Sequence, residues 1–227
     1  MNRLTFLANR YQTDKGTQYG ACHAYTEIYD KYFSDIRDRV ERPRILEIGV
    51  LDGASLSMLN EYFDYNCDIV AFDIEDKTQY MSENVTIYKG DQSDSVFLSW
   101  LVNCYQNAKF DIIIDDGSHF WRHQLISFYY LSHILANNGI YIIEDIFTSD
   151  IRYSTCDEND TNISFDDTPM SFLTTPKHTK LLTEEQNIEL KNRLNTVNIY
   201  QRRNDLVQYS IWLHNWSKTA VITLFNT

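Results

Sequence analysis

The residues best suited to chemistry in this chain are acids that follow short apolar runs. Asp115-Asp116-Gly117-Ser118-His119 follows the run 110–114, and Glu144-Asp145 follows the run 140–143. If those runs are adjacent strands, both clusters stand at one rim. Carboxylates crowded together cannot all stay ionised without protons or a cation. An oxygen-rich set favours Mg²⁺ or another hard divalent ion. His119 stands just beyond Asp116, placed to act as a general base near neutral pH. The blander reading of the same residues is helix-capping acids and a satisfied loop histidine. His123, further on, reads as core or as support for the cluster.

A second constellation is the turn Glu47-Ile48-Gly49-Val50-Leu51-Asp52-Gly53. Glycine permits a positive φ and a close backbone approach between a strand and a helix N-terminus. A dinucleotide fingerprint would require a third glycine. A turn holding only Gly49 and Gly53, with Glu47 and Asp52 beside them, repels a pyrophosphate but tolerates a sulfonium and an α-amino group. Asp73, ending the run 68–73, can accept both hydroxyls of a ribose. Asp91 can accept from an adenine amino group, or can simply be a solvated turn acid. The stretches Thr13-Asp14-Lys15-Gly16 and His23-Ala24-Tyr25 are polar and aromatic, and are expected either to fold over a ligand or to pack as surface.

The elements that must position these residues are legible as alternating patterns. Short apolar runs at 44–49, 68–73, 110–114 and 140–143, and the alternating run at 85–89, read as strands. Helical spacing occupies 54–63, 96–105 and 123–135, the last stopped by Asn138-Gly139. Strands separated by helices imply a parallel sheet covered on both faces, with ligands beyond the carboxyl ends of the strands. An acid follows each strand, at Glu47, Asp73, Asp91, Asp115 and Glu144. Residues 148–180 read as a long polar loop or lid, and 183–194 as a helix with a Thr183/Gln186 capping box. Runs at 197–202 and 219–225 would close the sheet. The expectation is one domain over 1–227, with 1–43 a helical extension over the site.

Composition narrows the function classes. Aromatic content of 14% and hydrophobic content of 43% argue for a folded core. A net charge of −12 argues against nucleic acid, and the basic clusters (37–44, Arg202-Arg203) read as solvated surface. Cys22, Cys67, Cys104 and Cys156 form no CxxC pair, which fits a reducing compartment. With no signal-like segment and no apolar span of about 20 residues, a cytoplasmic protein without membrane contact is expected.

E-I-G-V-x-x-G-x-S after the first strand, F-D-I after the second, I-D-D-G-S-H after the fourth and E-D after the fifth occur together. With T-D-K-G…H-A-Y-T-E-I-Y near the N-terminus, they resemble the metal-dependent sugar O-methyltransferases of macrolide biosynthesis (mycinamicin and macrocin type), which have bacterial polysaccharide relatives. The resemblance spans roughly residues 10–147. It implies a Rossmann-like α/β fold of the class I methyltransferases, its seven strands mostly parallel with a reversed last strand. It also implies S-adenosylmethionine and Mg²⁺, with Asp116, Glu144 and Asp145 on the metal and His119 as base. Asp115 would lie beside the cofactor or behind the metal. Glu47, Gly49, Gly53, Ser55, Asp73 and Asp91, with Lys15, His23 and Tyr25 from the N-terminal signature, would hold the cofactor. The implied partner is a sugar or sugar-like small molecule, and a homo-oligomer is allowed. The competing readings are methylation of a small phosphorylated or amide metabolite, a nicotinamide oxidoreductase, a metal-dependent hydroxylase and a non-catalytic scaffold.

Overall fold

The protein is described from a computed structural model, which covers residues 1–149, 163–201 and 218–225. Five apolar runs form parallel strands: β1 (Arg44–Ile48), β2 (Asp68–Asp73), β3 (Val85–Lys89), β4 (Phe110–Asp115) and β5 (Leu135–Ile143). With β6 (Leu194–Gln201) and β7 (Lys218–Leu224) they make one seven-stranded sheet, ordered β3-β2-β1-β4-β5-β7-β6. β7 runs antiparallel to both neighbours, so the reversed strand lies where the resemblance implied.

Side chains alternate between the two faces of a strand, and a sheet buried on both sides needs apolar residues at every position. Ile45, Ile69, Ala71, Ile112, Ile114 and Ile142 pack into one core, beneath α1 (Arg3–Tyr11), α2 (Thr26–Arg39) and α3 (Ala54–Tyr62). Their neighbours Leu46, Val70, Phe72, Ile113, Tyr141 and Ile143 pack into the other. That second core lies under α4 (Ser95–Tyr105), α5 (Trp121–Leu131), α6 (Pro169–Thr174) and α7 (Glu184–Arg193). The segment before β1 is therefore an integral part of the first core: Leu4, Leu7, Tyr25, Tyr29 and Phe33 are all buried in it. No described helix is long and apolar enough to cross a membrane.

Two expectations change. The helix expected over 123–135 ends at Leu131, and Asn138-Gly139 lies inside β5. Asn138 does take a left-handed φ of 61°, but there the turned residue accompanies a register shift against β4 rather than a helix stop. The stretch expected as a polar loop is ordered over 163–180. It carries a single 3₁₀ turn, Phe165–Asp167, and α6, started by Thr168 accepting from the Ser171 N–H with Pro169 in the first turn. Phe172 and Leu173 are buried, so two apolar residues anchor a helix too short to show a period. Residues 150–162, with Cys156, Asp157, Glu158 and Asp160, lie outside the described residues, as do Arg202 and Arg203. The Thr183/Gln186 capping box is present in α7.

Candidate active site

The carboxyl ends of β1, β2, β4 and β5 open onto a cavity of about 750 Å³, within the size range of small-molecule sites. Its floor is the glycine turn. Gly49 has a φ of +88°, and a Cβ there would sit 2.3 Å from the Asp116 carbonyl oxygen. Only glycine lets the β1 turn and the β4 turn touch. Asp73 braces the same turn: its Oδ2 accepts from the Val50 and Leu51 N–H groups at 2.8 and 3.3 Å, and its Oδ1 from that of Glu75 at 2.9 Å. Partial burial raises its pKa, but these three donors outweigh burial and hold it below the ordinary carboxylate value. Asp91 accepts from the Ser93 N–H and hydroxyl at 2.7 and 2.8 Å.

Lys15, Gly49, Ser55, Asp73, Asp91, Asp116, His119 and Asp145 all line the cavity. Glu47, Gly53, His23, Tyr25, Asp115 and Glu144 are buried behind the lining. Gly53 lies under the Tyr80 ring, at a φ of +75°. Glu47 accepts from the Ser55 hydroxyl at 2.6 Å, and burial pushes its carboxyl up to about 7. Asp115 is held by Ser127 and Gln92, each at 2.7 Å, and burial pushes it up to about 6. Both acids thus act in the walls of the site.

Asp116, His119 and Asp145 each offer one ligand atom, and these atoms lie within 4.8 Å of one another. The expected trio had Glu144 in place of His119. Glu144 instead accepts from the Lys15 ammonium at 3.0 Å through Oε2, while its Oε1 is buried without a partner. Burial, reinforced by Asp116, pushes the Glu144 carboxyl well up. Two of the converging residues hold strained backbone, with left-handed φ values of 59° at His119 and 50° at Asp145. Such conformations cost energy and cluster at functional sites. Tyr25 donates its hydroxyl to Asp145 Oδ1 at 2.6 Å. Burial and that carboxylate push its phenol well up, so it stays a donor. The two histidines face Asp145 from either side at 3.5 Å, His119 through Nε2 and His23 through Nδ1. Two carboxylates and an imidazole whose Nδ1 is buried without a partner make a donor set that fits a divalent cation.

Sequence reasoning missed Gln92. Its amide nitrogen donates to Asp115 and its oxygen accepts from the Ser118 N–H at 2.9 Å, tying the β3 turn to the β4 turn. The only available signal was its place beside Asp91. Ser118 also reaches the His123 Nδ1 at 2.8 Å, and His123 lines the cavity instead of packing in the core.

No family model matches the chain. It is 37% identical over 153 residues to demethylmacrocin O-methyltransferase of Streptomyces fradiae, covering 64% of this chain and 37% of that protein. Mycinamicin VI 2''-O-methyltransferase of Micromonospora griseorubida is also 37% identical, covering 64% of this chain and 36% of that protein. Among solved structures, the MycE methyltransferase of the mycinamycin biosynthetic pathway, in complex with Mg, SAH and mycinamycin VI, superposes with a TM-score of 0.73 at 27% identity. That match covers 98% of this chain and 54% of the other. An O-methyltransferase from Bacillus cereus in complex with SAH, at 11% identity and a TM-score of 0.53 over 97% of this chain and 90% of the other, shares the fold. The matched part is little more than a third of the length of these curated relatives. The resemblance read from the motifs is borne out: the chain has the fold of the class I methyltransferases and is similar to the sugar O-methyltransferases of macrolide biosynthesis.

Proposed function

We propose that this chain is the methyl-transferring unit of an S-adenosylmethionine-dependent, Mg²⁺-assisted O-methyltransferase acting on a sugar or sugar-like hydroxyl. The observation that carries the reading is the convergence of Asp116, His119 and Asp145 on the cavity floored by Gly49 and Asp73. The similarity to sugar O-methyltransferases supports the acceptor class. The Gly49 turn and Asp73 would seat the cofactor, with Asp91 at its far end. Asp116 and Asp145 would hold the metal, with Glu144 as a further donor at the same rim and His119 beside them as the base. Mg²⁺, when bound, lowers the pKa of an acceptor hydroxyl and orients it. His119 takes the hydroxyl proton, and Asp145, 3.5 Å from its Nε2, stabilises the imidazolium that results. The acceptor oxygen bonds to the methyl carbon as the carbon–sulfur bond breaks, leaving the thioether. Collinear alignment of oxygen, carbon and sulfur supplies much of the rate.

His119→Ala separates the two roles open to that residue. A base is expected to lose about 10²-fold or more in kcat while Mg²⁺ affinity is kept. A ligand is expected to lose Mg²⁺ affinity in a calorimetric titration. Wild-type protein that binds neither S-adenosylmethionine nor its thioether product would end the methyltransferase reading, and NADH binding by fluorescence would replace it with an oxidoreductase.

A further inference from the structure

The Lys15 ammonium stands among three carboxylates. It bonds to Asp116 Oδ2, reaches Glu144 Oε2 at 3.0 Å and lies 3.7 Å from Glu47 Oε1. The residue is 1% exposed. Its backbone is pinned as firmly: the Lys15 carbonyl accepts from the Thr26 N–H at 3.2 Å, and the next residue's carbonyl from the Ala24 N–H at 2.9 Å. An ammonium has three N–H donors, and three carboxylates present six oxygens. The shortfall is visible, because Glu47 Oε2 and Glu144 Oε1 are buried with no partner. Burial alone would lower the lysine's pKa, but Asp116, Glu144 and Glu47 override it and hold it well up.

Asp116 is therefore claimed twice. Its carboxylate bonds to Lys15, and it also belongs to the group with His119 and Asp145 that suits a metal. Two cations on one carboxylate repel each other. We propose that Lys15 is an internal rival of the divalent cation: it holds Asp116 and Glu144 in the metal-free chain and gives up Asp116 when the metal binds, keeping Glu47 and Glu144. Lys15 is thus a positioning residue, one that holds the buried acids in place while weakening the metal's grip. This rests on the metal of the proposed function.

The test is calorimetric titration of Mg²⁺ into the metal-stripped full chain and into Lys15→Met, both saturated with S-adenosylhomocysteine. The variant is expected to bind Mg²⁺ at least fivefold more tightly than wild type, because the rival is gone. Equal or weaker binding by a folded variant overturns the proposal, since a merely structural lysine would leave a damaged site. If Lys15→Met does not fold, the wild type decides through its ¹⁵N-labelled lysine ammonium signals. The buried Lys15 signal should move as Mg²⁺ is added, and an unmoved signal in Mg²⁺-saturated protein overturns the proposal. If wild type binds no Mg²⁺ at all, the metal of the proposed function fails and this inference with it.

Discussion

Gly49 shows how one missing side chain sets the site. A Cβ at this position would lie 2.3 Å from the Asp116 carbonyl, on a backbone already at a φ of +88°. Gly49→Ala must move the β4 turn that carries Asp116. Strain of this kind costs about 1–3 kcal/mol, and a chain of this length loses roughly 2–4 °C in Tm per kcal/mol. The expected outcome is a folded protein with a lower Tm and at least about tenfold weaker S-adenosylmethionine binding, a tenfold loss being about 1.4 kcal/mol. Unchanged affinity in a calorimetric titration would separate the turn from the cofactor site. The sequence disclosed this residue because a strand running into glycine has few explanations. It disclosed the acids less completely. Glu47, Asp115 and Glu144 read the same as Asp116 and Asp145, yet three of the five are buried in the wall. Which acid faces the cavity depends on strand pleat and on Lys15, a residue 101 positions from Asp116.

At the scale of elements, the strands were legible and the chain after β5 was not. β2 matches its apolar run because a buried parallel strand is apolar throughout, and β3, at the sheet edge, matches its alternating run because only Val85 and Ile87 are buried. α6 is six residues long, too short for a helical period to register. Its position depends on Asp167, whose carboxylate accepts from the Ser164 N–H at 2.9 Å and from the Lys180 N–H at 2.8 Å. Burial raises the Asp167 pKa, but the Lys180 and Ser164 donors outweigh it and hold the group below its ordinary value of 3.8. A depressed carboxylate contributes stability above its unfolded pKa and loses it as pH falls through the folded one. Chemical denaturation of wild type should therefore show a stability loss as pH drops below the ordinary carboxylate range. Asp167→Asn should be less stable by about 1–3 kcal/mol at neutral pH, with a shallower acid limb. Parallel pH profiles for the two proteins would show that Asp167 carries none of the acid sensitivity.

For the whole molecule, ligand and fold are linked through the cavity between the strand ends and the N-terminal segment. A ligand that binds only the folded state adds about 2.7 kcal/mol at a hundredfold excess over its Kd. S-adenosylhomocysteine is expected to raise Tm by roughly 5–10 °C at that excess, and NADH is expected to leave it unchanged. A thermal scan reversing that order would favour the oxidoreductase reading. The ion pair between Lys15 and Glu144 spans 129 positions. Ribosomes add about 5–20 residues per second, so the lysine is made roughly 6–26 s before the last of its counterions. During that interval Tyr25, Tyr29 and Phe33 have only part of the sheet they cover, because the surface on which α2 packs is completed by β7, where Tyr25 donates to the Lys218 carbonyl and Tyr29 meets the Thr219 hydroxyl. The segment before β1 is thus synthesised first but secured late, its packing surface incomplete until β7 has been made.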